Sequence, residues 1–235
     1  ILRRKVCFVS ALYEGDKFKE HDNPPQFEKM DGFDYLLFTN IDKKKLKTSW
    51  TIVEKKLDNI EDSIIKSRIP KFQAHTLSEL DKYDYIIYMD AYFFPKPQKN
   101  RWIKIIQWME ENKIKLMQEK NPYRDCAYEE CDEIVRLKKD SLERSQNTKT
   151  FFEKEGLPKK HGLWRNTFLA YKRDDLDVQK MFNEFWSIYK NNQLMHRDQP
   201  LYMIALLRTG FKPYEFKLEK MIERKGESIG KHTYV

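Results

Sequence analysis

Two stretches of this chain are apolar on nearly every residue, and they limit the possible folds more than any other feature. Val6–Leu12 is interrupted only by Ser10, and Tyr85–Met89 is apolar or aromatic throughout. A strand with one wet face alternates polar and apolar residues. A strand apolar on both faces belongs to a sheet covered on both sides. The chain therefore predicts an α/β fold, a mostly parallel central sheet with helices on both faces. Further strands are expected at Phe33–Thr39, 50–53, 114–118 and 167–171. Apolar residues near a 3.6-residue period predict helices over 61–81, 101–112, 126–146, 175–190 and 198–208. Pro70 should kink or restart the first of these. Pro200 in the first turn and Gly210 just past the end frame the last.

Breaks at Asn23-Pro24-Pro25, Pro95-Lys96-Pro97 and Pro158 are too short to separate domains. One domain is expected over residues 1–235, with its first half to about residue 120 and its second from about 121.

Composition narrows the function classes. Only 7 of 235 residues are glycine, and no Gly-rich phosphate loop occurs, which removes the main support for dinucleotide or P-loop binding. The +8 net charge, from 45 basic and 37 acidic residues, is spread along the chain. It suits an anionic ligand, a nucleic acid, an anionic membrane face or an uncommitted soluble surface alike, and no basic-aromatic module for nucleic acid is present. Cys7, Cys126 and Cys131 are an odd number without a framework, which points to a reducing compartment and away from zinc. No apolar run is long enough to span a membrane. Residues 1–12 read as the first strand and not as a signal peptide.

In open α/β sheets, ligands bind beyond the carboxyl ends of the strands. The residues there are Ala11, Leu12 and Tyr13 after the first strand, and Thr39, Asn40 and Asp42 after the second. Asp90, Ala91 and Tyr92 follow Tyr85–Met89, and Lys172 and Arg173 follow the strand at 167–171. Asp90 is the strongest candidate. A carboxylate ending a buried strand can hold a cation or a ribose hydroxyl, or it can simply cap a turn.

The segment Tyr83-Asp84-Tyr85-Ile86-Ile87-Tyr88-Met89-Asp90-Ala91 resembles the strand that ends in the Asp-x-Asp motif of GT-A glycosyltransferases. The resemblance extends, in order, to Arg68-Ile69-Pro70-Lys71, to Pro122-Tyr123-Arg124-Asp125-Cys126-Ala127-Tyr128-Glu129-Glu130, to Trp164-Arg165-Asn166-Thr167 and to Arg197-Asp198-Gln199-Pro200-Leu201. These segments are similar to small glycosyltransferases of large algal viruses that build capsid glycans, and to a related plant and bacterial family. The resemblance implies a GT-A-like fold and transfer of a sugar from a nucleotide-sugar, such as UDP-xylose or UDP-glucose, to a glycan or glycoprotein. It implies that Asp90 and Ala91 meet the ribose or metal, and that Ala11, Tyr13, Thr39 and Asn40 frame the base. Lys71 would neutralise the diphosphate, and Trp164, Arg165 and Asn166 would floor the donor sugar. Location in the cytoplasm (the host's, for a viral enzyme) follows from the same resemblance, or in a lumen if an anchor precedes residue 1.

Tyr92 departs from that pattern, because it stands where the second aspartate would be. Mn²⁺ or Mg²⁺ would then rest on Asp90, with His232 as a late ligand. The same departure keeps open a catalytically degenerate, carbohydrate-binding protein. At the second site, Asp198 opens a helix. It is either a helix cap or the base of an inverting transfer, since glycosyl transfer passes through an oxocarbenium-like state that needs a proton acceptor. Arg124, Asp125 and Glu129 form a further polar group, with Asp125 and Glu129 four residues apart on one helix face, able to bind sugar hydroxyls or to cap.

Overall fold

The computed structural model describes residues 4–15 and 23–225. Val6–Leu12 (β1), Phe33–Thr39 (β2), Thr51–Glu54 (β3), Tyr85–Met89 (β4), Leu116–Lys120 (β6), Trp164–Lys172 (β7) and Tyr214–Glu215 (β8) form one sheet. Its order is β3-β2-β1-β4-β7-β6-β8. All pairs are parallel except the two that β7 makes, with β4 and with β6. Phe93–Pro95 (β5) leaves the main sheet after β4 and pairs antiparallel with Ile222–Arg224 (β9).

The helices are Ser63–Phe72 (α1), Lys99–Glu111 (α2), Ala127–Arg136 (α3), Leu142–Glu155 (α4), Leu176–Tyr189 (α5) and Asp198–Thr209 (α6). Side chains alternate across each strand, so the sheet splits the core in two. Ile86 and Tyr88 of β4 join Phe72, Phe182, Phe185 and Tyr202 on one face. Tyr85, Ile87 and Met89 join Trp102, Ile106 and Met109 of α2 on the other. Both faces are thus covered, as the apolar strands require. Phe72 shows how tight the first layer is, lying 4.4 Å from the Phe185 ring and 5.8 Å from Tyr202.

Four expectations need correction. The helix at 61–81 ends at Phe72, two residues beyond Pro70, whose missing N–H removes a backbone bond; two 3₁₀ turns, Ala74–Thr76 and Ser78–Leu80, complete the segment. The helix at 126–146 is two helices. Lys138 breaks it with a φ of 55°, and the Ser141 hydroxyl caps α4 by accepting from Arg144 N. The strand expected at 114–118 is β6, at 116–120. Most consequential, the strand at 167–171 is longer and runs backwards. Lys172 and Arg173 therefore sit at the amino edge, and Trp164, Arg165 and Asn166 sit at the carboxyl edge.

Gly210 follows α6 at a φ of 66°, which suits a residue without Cβ. Gly15 is constrained differently, since a Cβ there would lie 2.6 Å from Ser63 Oγ, so the chain after β1 packs directly on the start of α1. Cys7, Cys126 and Cys131 are buried and free. Among the described residues, no helix is long and apolar enough to cross a membrane.

Candidate active site

Strand order places the site. Strands 3-2-1 run one way from β1, and β4 begins the other half, so the crevice opens where β1 and β4 lie side by side. Ser10 Oγ ties the two carboxyl ends together by donating to Met89 O at 2.8 Å. Just beyond this tie, Asp90 leaves the sheet, with its backbone N bonded to Thr167 O of β7 at 3.1 Å.

Asp90 does not stand alone. Tyr88 OH donates to its Oδ1 at 3.2 Å, and Lys71 Nζ lies 3.6 Å from the same oxygen. Lys71 is only 2% exposed and donates to Asp198 Oδ2 at 2.8 Å. Arg68 Nε lies 3.5 Å from that Asp198 oxygen. Two cations and two carboxylates therefore cancel in a space mostly closed to water. The Lys71 ammonium also lies 5.2 Å from the Tyr88 ring centre and 5.3 Å from that of Phe72.

Local sequence explains the convergence. Arg68 and Lys71 are three apart and share a face of α1. The Asp62 carboxylate caps that helix, accepting from Ile64 N and Ile65 N. Asp198 is the first residue of α6, with Arg197 as its N-cap. Its side chain makes no capping bond and goes to Lys71 instead. Burial alone would raise the Asp198 pKa; Lys71 and then Arg68 outweigh burial and hold it down at about 2. For Arg68, burial works against the charged form, and Asp198 more than offsets it, so the guanidinium stays charged. Burial, followed by the nearby Asp90 carboxylate, pushes the Tyr88 phenol well above its ordinary value, which keeps it a hydrogen-bond donor.

A second buried chain of polar groups adjoins the first. Tyr202 OH donates to Gln118 Oε1 at 3.0 Å, and Gln118 Nε2 donates to Asn166 Oδ1 at 2.6 Å. Asn166 Nδ2, at the end of this chain, is buried with no partner, as is Gln199 Nε2 beside Asp198. An unpaired buried N–H costs about 1–3 kcal/mol, so a ligand atom that accepts from it returns that energy.

The other expected residues are placed as follows. Ala11 and Tyr13 are buried at the β1 end, and the Tyr13 hydroxyl has no partner. Thr39 is buried and accepts from Ile41 N at 3.1 Å. The Asn40 amide is spent on the backbone of Glu14, accepting from its N at 2.9 Å and donating to its O at 2.8 Å. Asn40 therefore holds the loop after β1. Ala91 is buried; Tyr92 is half-buried, and its carbonyl accepts from Lys225 N at 2.9 Å. Trp164 lies under the Lys120 ammonium at 5.9 Å, and Arg165 pairs with Glu119 at 3.3 Å. Asp125 and Glu129 are exposed and join none of these pairs; Arg124 binds Glu130 at 2.5 Å instead. His232 lies outside the described residues.

Arg68, Tyr88, Gln118 and Tyr202 belong to these networks and have no role in the sequence reading, whereas Gln199 lies in the Arg197-Asp198-Gln199 segment it singles out. Gln118 follows two apolar residues, Leu116 and Met117, and is buried, whereas Glu119 and Lys120 after it are not.

Among the described residues, no three His, Cys, Asp or Glu side chains gather as a metal site. Asp90 supplies one carboxylate, and the Lys71 ammonium 3.6 Å away repels a divalent cation. The described donor set does not fit such an ion. An open cleft of about 660 Å³ lies at the opposite sheet edge, lined by Lys113, Lys180, Lys212 and Tyr214 together with the paired Lys115 and Asp177.

No protein-family model and no curated protein matches this sequence. Among solved structures, the chain is similar to the WbbM bifunctional glycosyltransferase, with a TM-score of 0.50 at 10% identity over 93% of this chain. The fold is GT-A-like. The chain spans 40% of the length of that relative. It is also similar to mouse xyloside xylosyltransferase 1, with a TM-score of 0.48 at 9% identity over 91% of this chain and 86% of that one. A third similar structure is the mannosyltransferase Ktr4p of S. cerevisiae, with a TM-score of 0.43 at 12% identity over 87% of this chain and 66% of that one.

Proposed function

We propose that this chain is a glycosyltransferase that moves a sugar from a UDP-sugar, such as UDP-xylose or UDP-glucose, to a glycan or glycoprotein. One observation carries the proposal: a buried, charge-balanced network fixes Asp90 at the β1/β4 crevice of a GT-A-like sheet. Asp90 is 43% exposed on its side chain, and its Oδ2 makes no bond among the described residues. That oxygen accepts a ribose or sugar hydroxyl. Asn166 Nδ2 is the matching donor from the β7 side.

Lys71 and Arg68 serve the leaving diphosphate once its charge competes with Asp90 and Asp198 for them, at a site where water screens the attraction little. Lys71 is too buried for direct contact in this state, so its first task is to hold Asp90 and Asp198 in place. Asp198 is the remaining carboxylate at the site, ionised at neutral pH. It takes the acceptor proton when the diphosphate draws Lys71 and Arg68 away, and inversion follows from attack opposite the leaving group. Mn²⁺ or Mg²⁺ could join Asp90 only with ligands beyond the described residues, such as His232, and no step here relies on it.

The test is Asp90→Ala. Lys71 keeps its 2.8 Å partner Asp198, so the fold should survive with Tm nearly unchanged. Wild type should release UDP from a UDP-sugar and gain Tm on adding UDP, and the variant should do neither. A variant stabilised by UDP as well as wild type would sink the assigned donor site. UDP binding by wild type without transfer to any acceptor would favour the degenerate, sugar-binding alternative.

A further inference from the structure

The loop from β6 to α3 is built as a fixed display. Asn121 Oδ1 accepts from Tyr123 N at 2.8 Å and from Arg124 N at 3.1 Å, which closes a tight turn. Asn121 N donates to Leu163 O, and Gly162 N donates to Asp125 O, both at 2.8 Å. Both ends of the loop are thus stitched to the chain entering β7. At its tip Tyr123 is 82% exposed, and its hydroxyl makes no hydrogen bond among the described residues. Nothing in the fold uses this ring.

Its position gives it a use. Lys120 is paired with Trp164, so the loop flanks the first residue of β7 at the carboxyl edge. From Trp164 to Thr167, which accepts from Asp90 N, is three residues, at most about 10 Å. A ligand that fills the Asp90 crevice and extends along the carboxyl edge past Trp164 reaches the loop that carries Tyr123, three residues beyond Lys120. Asn166, with its unpaired amide, lies between the two. An aromatic face is electron-rich and apolar, which suits the C–H face of a sugar ring.

We propose that Tyr123 is an acceptor-binding residue, a stacking platform for a sugar ring of the glycan that receives the transferred sugar. This rests on the glycosyltransferase function proposed above and names where its second substrate sits. The ring pre-exists on a stitched turn, so little ordering is needed on binding.

The experiment begins with wild type, UDP-[¹⁴C]glucose or UDP-[¹⁴C]xylose, and a printed glycan array. The most heavily labelled glycan becomes the acceptor probe. With that probe, Tyr123→Ala should raise acceptor KM about five- to tenfold, the loss of one aromatic stack. Donor KM and UDP release without acceptor should stay at wild-type values, and Tyr123→Trp should restore acceptor KM. An acceptor KM within about twofold of wild type in Tyr123→Ala, beside normal donor kinetics, overturns the platform alone. An array on which wild type labels no glycan overturns the transferase function and the platform with it.

Discussion

Among the described residues, Arg173 at one edge of the sheet and Lys71 at the other are the most deeply buried cations, and the two are partnered differently. At the amino edge, Arg173 is 8% exposed on its side chain and binds Asp81 and Asp174, both 65% exposed. At the carboxyl edge, Lys71 is 2% exposed and binds Asp198, itself 9% exposed on its side chain. In the first case water still solvates the carboxylates, so the pair is a strut between loops. In the second case neither partner reaches much water, and each is held there by the other. A folded chain gains little stability from this arrangement over an apolar one. It gains a fixed electrostatic environment beside Asp90, the property on which the proposed transfer draws.

Removing the cation from each edge should expose that difference most strongly. Lys71→Met leaves Asp198 buried with Arg68 at 3.5 Å as its nearest partner among the described residues. A loss of about 3–5 kcal/mol is expected, the cost of breaking a buried pair. For a chain of this size that lowers Tm by roughly 6–20 °C. Arg173→Met frees two carboxylates that already face water and should cost less than half as much. Equal Tm losses in the two variants, read by circular dichroism melts, would erase the distinction between the edges.

That contrast was only half legible in the sequence. The bounds of β1, β2 and β4 follow from their apolar runs, because continuous burial leaves a continuous pattern. The carboxyl-edge rule then singled out Asp90 as a candidate. The same rule, applied to β7 as though it were parallel, picked Lys172 and Arg173, which face the other edge. A strand carries no local mark of its direction, so periodicity could not reverse it. Trp164, Arg165 and Asn166, which do lie at the carboxyl edge, enter only through the resemblance. The contact of Lys71 with Asp198 spans 127 residues and has no local signal either. Asp198 looked like a helix cap because Asp is a good cap, and a distant ammonium claimed its side chain.

Acid should reveal the buried carboxylate separately from the cation. The Asp198 pKa falls from 3.8 to about 2 on folding. A depressed carboxyl contributes stability above its unfolded value and loses it as pH falls through the folded one. The contribution is therefore complete above about pH 4 and disappears toward pH 2, and it is worth roughly 2 kcal/mol. Urea unfolding at pH 5 and at pH 2.5 should show wild type losing more stability than Asp198→Asn, which has no such group to titrate. Parallel losses in the two proteins would mean that Lys71 and Arg68 do not hold the carboxyl down.

The smallest effect belongs to the exposed partner at the amino edge. Asp81→Asn removes a carboxylate that is 65% exposed, while Arg173 keeps Asp174 and the His75 carbonyl. Pairs of this kind contribute under about 1 kcal/mol, because water and salt already screen them. Tm should move by no more than about 4 °C, and less in 0.5 M salt. A drop matching that of Lys71→Met would show that burial of the cation alone sets the cost. A small drop would assign the cost to burial of the carboxylate, the feature that sets the Asp90 edge apart.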